Sequence, residues 1–266
     1  MEEERLRAIE EAEAALRNHP GFERRLGLEA LWTSIDHVML PNLGELVALL
    51  RQPAHDEDLF AELIQNVRPP EVRERYQAEI TRRLANYVAS ALALVDHVRA
   101  LTSGSEALYI EEFRRRRAAI AREPEIGFVQ ELRNFTLHYQ LPVFAHRAAI
   151  HTREEEQTTE FAVTLLTASL RRWDGWTSKS EQLLAQNPEY IDLLPLVERH
   201  GQLMMELNTW IHDRMQEDFD PIRRELNDLV RRYNAMLFGV PEEEVDAFIR
   251  QRLESMGGGP WLTRDT

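Results

Sequence analysis

The chain contains no cysteine, which removes thiol nucleophiles, redox switches and thiolate metal sites together. Glycine (11) and proline (12) are sparse over 266 residues, excluding a collagen-like or low-complexity chain. Lysine is nearly missing: of 32 basic residues only Lys179 is lysine. The skew fits a GC-rich genome, although arginine is also the better bidentate phosphate binder. The longest apolar stretch, around Tyr87 to Val95, holds Ser90 and stops at Asp96, far short of the roughly 20 residues of a membrane span. The opening Met1-Glu2-Glu3-Glu4 is unlike a signal peptide, so a soluble cytoplasmic chain with no membrane partner is expected. Glycine-rich phosphate loops, nucleophile elbows and kinase-type loops are all missing from the sequence. No histidine has a glutamate three residues before it, the pairing used by carboxylate-bridged metals in helical bundles. His146, His151 and Glu154 have loose ligand-like spacing without a fourth ligand, and neither metal nor cofactor is expected.

What is present is 43% hydrophobic residue content, rich in Leu and Ala with abundant Glu and Arg, which favours helix. Acidic residues (46) outnumber basic ones for a formal charge of -14. That disfavours nonspecific wrapping of nucleic acid, which needs an extended basic surface, but leaves room for a local basic site. The expected fold is all-α, a helical bundle with a helical C-terminal extension. A single domain over 1–256 is the economical reading, with a split near residue 150 as the alternative.

Leu6, Ile9, Ala12 and Leu16 mark an opening amphipathic helix, broken at Pro20-Gly21. A second helix is expected from about Glu23 to Arg51, with Leu28, Leu31, Ile35, Val38 and Met39 inward and a kink or break at Pro41. A short one covers Asp56 to Val67, stopped by Pro69-Pro70. The strongest periodicity runs from Glu71 to Ala100, where Tyr76, Ile80, Leu84, Tyr87, Val88, Ala91, Leu94, Val95 and Val98 form one apolar stripe. Thr102-Ser103-Gly104-Ser105 supplies a stop and a new N-cap for a helix through Arg122, and Pro124 opens the next, which ends by Pro142. Period-two runs rich in Val and Thr predict a short β-hairpin insert at 143–168. A C-terminal extension over 176–256 follows, with helices from Leu193 to about Asp218, from Asp220-Pro221 to Phe238, and from Pro241 to Met256; 257–266 is a loose tail. Trp210, Met204, Met205, Met215 and Phe219 are spaced as helix core.

Two constellations carry chemistry. Arg114-Arg115-Arg116-Arg117, with Arg122, is the one concentrated basic block. It is either surface charge balanced by Glu106, Glu111, Glu112 and Glu123 or a local phosphate contact. The other lies in Phe128 to Tyr139, where Arg133 is followed by Asn134 and, after four intervening residues, by His138. This Arg-Asn-x3-His pattern, near the end of a helix closed by Pro142 and following the long Glu71–Ala100 helix, resembles the signature of the HEPN superfamily of helical domains. The resemblance spans about 71–140. In the HEPN toxins that add a Tyr two residues after the His, the corresponding position is Gln140 here, with Tyr139 one residue earlier.

The resemblance implies a metal-independent endoribonuclease, of the kind used in toxin and phage-defence systems, whose Arg and His meet at a homodimer interface. His138 would be general acid/base, Arg133 would offset charge on the scissile phosphate, and Asn134, four residues before His138, would hold the ring or a phosphate oxygen. Arg114, Arg117 and Tyr139 would contact the RNA, and an antitoxin or other protein partner is implied. The competing reading is a silent dimerisation or ligand-binding module. There Arg133 pairs with Glu131 or a neighbouring carboxylate, His138 caps the last turn, and Asn134 bonds beside Asp96 or His97. A third reading has the 193–238 helices bind another protein.

Overall fold

The structure is a computed structural model. It describes residues 2–64, 71–103, 107, 109–153 and 156–255, apart from the side chains at 150–153, 156–159 and 253. The Pro69-Pro70 stop, the Gly104-Ser105 cap, Glu106, Glu154 and the 257–266 tail lie outside the described residues. The fold is all-α with a small antiparallel sheet. Its helices are α1 (Glu2–Arg17), α2 (Pro20–Thr33), α3 (Leu40–Arg51), α4 (Glu57–Ile64), α5 (Glu71–Thr102), α6 (Tyr109–Ile120), α7 (Pro124–His138), α8 (Thr167–Leu170), α9 (Ser178–Gln186), α10 (Leu193–Phe238) and α11 (Val245–Ser255). The strands are β1 (Phe144–Arg153), β2 (Glu156–Leu166) and β3 (Tyr190–Asp192). The chain divides into two compact units, one of residues 30–213 and one of residues 1–29 with 214–266.

In the 30–213 unit the α5 stripe is the spine. Ile80, Leu84, Tyr87, Val88, Ala91, Leu94 and Val98 are buried, and Tyr76 donates its hydroxyl to the Leu49 carbonyl of α3 at 2.9 Å. Between α2 and α3 a π-helical turn, Ser34–Met39, carries the chain up to Pro41, and its last bond runs from the Leu40 N–H to the Ile35 carbonyl. The extra residue in that turn shifts the helical phase, so Ile35 and Met39 are buried while Val38, expected inside, is 43% exposed. Asp56 caps α4 by accepting the Leu59 N–H at 2.9 Å.

The hairpin forms as β1 against β2, Phe144 opposite Leu165, and β3 adds to the other edge of β2 with Ile191 opposite Leu165. Phe144, Val163, Leu165 and Ile191 are buried. The third strand was not expected, because three residues are too few to show a period.

The other unit contains α1, residues 20–29 of α2, residues 214–238 of α10, and α11. Phe219, Leu226, Ala235 and Val245 are buried there, and Arg24 pairs with Asp218. The break expected at Asp218–Pro221 does not occur: α10 is one helix of 46 residues with Pro221 inside it. A proline ring removes one N–H and crowds the carbonyl four residues back. Here Met215, Phe219 and Leu226 keep one buried face on both sides of the proline, and Arg223 bonds Gln216 and pairs with Asp220 at 3.0 Å. Burial along that face outweighs the lost bond. Met215 is buried here, and in the part of α10 within the 30–213 unit Met204 is buried while Met205, 39% exposed, departs from the expected core set.

Candidate functional site

The orientation of α7 is set by its buried side. Ile126, Phe128, Val129, Leu132 and Phe135 are buried. Phe128 stacks on Trp176 with ring centres 5.1 Å apart, Phe135 packs against Trp173 and Trp176 at 5.9 and 5.7 Å, and the Trp176 indole N–H donates to the Leu170 carbonyl at 2.8 Å. Such aromatic clusters fix a helix about its axis more sharply than aliphatic contacts alone. With Leu132 and Phe135 held inward, Arg133, Asn134, Leu137 and His138 all face out and are exposed.

The last turn of α7 is regular up to His138. The Tyr139 and Gln140 N–H groups both donate to the Phe135 carbonyl, at 3.0 and 3.1 Å, and the buried Pro142 follows. On a regular helix, Arg133 and His138 stand roughly 140° apart about the axis. They therefore do not converge on one phosphate within a single chain.

The intrachain partners of the structural reading are taken elsewhere. Glu131 accepts the Thr177 N–H at the start of α9, at 2.9 Å. Asp96 pairs with Arg99 at 2.7 Å, and the His97 ring lies 2.8 Å from the Ser34 hydroxyl. Among the described residues the side chains of Arg133, Asn134 and His138 make no hydrogen bond or ion pair. Arg133 lines a cavity of about 190 Å³ between α5 and α7, with Thr81, Ala85, Val88, Thr136 and Pro142. Next to it the chain exposes a run of apolar side chains, Leu137 (59%), Tyr139 (46%), Leu141 (62%) and Val143 (44%). The Tyr139 ring leans on Phe135 at 5.4 Å while keeping its outer edge in solvent.

The arginine block resolves residue by residue. Arg114 pairs with Glu111 at 3.5 Å, Arg115 with Glu112, and Arg116 with Glu112 at 2.8 Å while also covering the Trp210 ring at 4.5 Å. Arg117 has no such partner among the described residues and lines a different cavity, between α5, α6, α7 and α10. Arg114 and Arg117 thus belong to other surroundings than the cavity Arg133 lines. No group of three His, Asp or Glu able to hold a metal occurs among the described residues. His146 packs between Tyr76 and Phe161, at 5.7 and 5.6 Å, and burial pushes its pKa down, helped by the charge of Arg73. No helix among the described residues is long and apolar enough to cross a membrane.

One buried polar pair was not visible in the sequence. The Tyr87 hydroxyl lies 2.6 Å from Nδ1 of His200 on α10, with both side chains buried. Burial lowers the His200 pKa to about 4 and raises that of Tyr87. A neutral ring accepts the hydroxyl proton at Nδ1. The only local signal was that His200 falls among Leu196, Val197, Leu203 and Met204 on an apolar helix face.

Compared with known proteins, the chain matches no family model, no curated protein and no solved structure.

Proposed function

We propose that the chain is a HEPN-like, metal-independent endoribonuclease that works as a homodimer, in a toxin or phage-defence role. The observation that carries this reading is the state of α7's outer face. Arg133, Asn134 and His138 are exposed and without partners among the described residues, beside the exposed Leu137, Tyr139, Leu141 and Val143. Solvated and without such partners, these side chains are open to a ligand or to a second copy, while the buried face of α7 holds the helix in place. An apolar run rimmed by cationic and polar groups suits contact with a second copy.

The angular separation of Arg133 and His138 makes that second copy part of the chemistry. In the pair, one His138 takes the proton of an RNA 2′-hydroxyl as its oxygen attacks phosphorus. The bond to the 5′ oxygen breaks, and the leaving oxygen receives a proton from the second protomer's His138. Arg133 offsets the charge gathering on the non-bridging phosphate oxygens. Asn134, one turn before His138, orients the ring or a phosphate oxygen. The products are a 2′,3′-cyclic phosphate and a 5′-hydroxyl.

A silent dimerisation module is the second reading, favoured by the -14 charge, which repels RNA at long range. The two are separated by incubating mixed structured and single-stranded RNA with the protein in EDTA, alongside His138→Ala, and reading the 3′ ends. Cyclic phosphate ends from the wild type alone support the nuclease. No cleavage by a folded wild-type dimer supports the module.

A further inference from the structure

The larger of the two cavities named above, about 310 Å³, lies wholly within the 30–213 unit and is bounded by α5, α6, α7 and α10. Its walls are mainly apolar, including Val98, Phe113, Ile120, Ile126 and Leu207, and no carboxylate among the described residues lines it. Part of the space exists because residue 127 is glycine: a Cβ built there would meet no atom within 4 Å. The polar groups on the lining are Arg99, Arg117, Gln130 and Asn208. Arg99 is paired with Asp96 at 2.7 Å, and Asn208 donates to the Met204 carbonyl at 2.6 Å. Arg117 is different: its three predecessors on α6 each hold a glutamate, whereas its own guanidinium, at the cavity, holds none among the described residues.

We propose that this cavity binds a small amphipathic carboxylate, its apolar body among Val98, Phe113, Ile126 and Leu207 and its carboxylate on Arg117. In a chain of charge -14, an arginine with no carboxylate partner among the described residues, at an apolar cavity that none of the described acids lines, is a local attractor for an organic anion. The planar guanidinium fork matches a carboxylate in two parallel hydrogen bonds. The volume sets the size, since at roughly 30 Å³ per water-sized group it holds about ten non-hydrogen atoms. That is the scale of a single medium-length acyl chain and falls at the lower end of small-molecule sites. The site lies away from the Arg133 cavity, so it stands or falls independently of the nuclease reading.

Titration calorimetry with octanoate, and with octan-1-ol as the uncharged control, tests the assignment. The wild type binds octanoate saturably at one site, and octanol at least about tenfold more weakly. Arg117→Gln weakens octanoate about tenfold, equivalent to 1.4 kcal/mol, and leaves octanol unchanged. Gly127→Leu projects a side chain into the cavity and removes binding of both, with a melting temperature no lower than that of the wild type. Absence of saturable octanoate binding, equal affinity for octanol, or octanoate binding undiminished in Arg117→Gln would each overturn the proposal. Should Gly127→Leu fold poorly, the Arg117→Gln comparison decides alone.

Discussion

The Tyr87–His200 pair makes the stability of this protein depend on pH in a defined direction. His200 is 2% exposed, and burial holds its pKa at about 4, against about 6.5 for a histidine in the unfolded chain. The folded state therefore keeps the ring neutral where the unfolded chain has already taken up a proton. The stabilising term is complete above about pH 6.5 and is lost as pH falls from there to about 4. Across the whole window the difference amounts to about 3 kcal/mol, of which about 2 kcal/mol falls between pH 7 and pH 5. Replacing both partners, as His200→Leu with Tyr87→Phe, removes the titration without leaving a buried hydroxyl or ring nitrogen unpaired. Urea unfolding of wild type and double variant at pH 7, 6 and 5 reads the difference directly, because the two proteins differ only at this pair. The wild type is expected to lose about 2 kcal/mol more than the variant between pH 7 and pH 5. Parallel pH profiles for the two proteins would refute a neutral, buried His200.

Further expectations follow from individual contacts. Glu131→Ala removes the acceptor for the Thr177 N–H and should cost about 1 kcal/mol in chemical denaturation, as loss of a helix-start bond does. Gly44→Ala, where a Cβ would meet nothing within 4 Å inside α3, should raise stability by about 0.5–1 kcal/mol and with it the melting temperature. Gly239→Ala should lower stability by about 1–2 kcal/mol, because φ there is +69° at the end of α10. For the proposed homodimer, Leu137→Glu places a charge in the exposed apolar run and should shift sedimentation from dimer to monomer while leaving the melting profile of the fold intact; a wild type that sediments as a monomer at every concentration would refute that proposal.

Regular, locally determined features were legible in the sequence. The α5 stripe could be read because nine apolar residues repeat at helical spacing over 30 residues, and eight of the nine, all but the half-buried Val95, are buried. The hairpin showed in its period-two runs, and α7 in the Pro124 start and Pro142 stop. Features set by distant partners were not legible. Pro221 reads locally as a helix start, yet burial of Phe219 and Leu226 carries α10 through it. Val38 lies outside the core because it falls within the wider π-helical turn, which turns it to solvent while Ile35 and Met39 stay buried. At the candidate site, the positions of Arg133, Asn134 and His138 on one helix could be read, but their lack of partners among the described residues could not. That depends on Glu131 reaching Thr177 and on His97 meeting Ser34, contacts across 46 and 63 residues. Likewise, nothing near Arg117 distinguishes it from Arg114, Arg115 and Arg116 until the glutamates are placed in space.

On the proposed function, Arg133 serves chemistry at the surface of α7 and not the fold. Unfolding stability and RNA cleavage in EDTA, measured on one preparation of Arg133→Ala, separate the two roles. The expected outcome is stability within about 0.5 kcal/mol of the wild type, as for an exposed residue with no partner among the described residues, together with loss of the cleavage shown by the wild type. A destabilised variant that still cleaves RNA at the wild-type rate would contradict it.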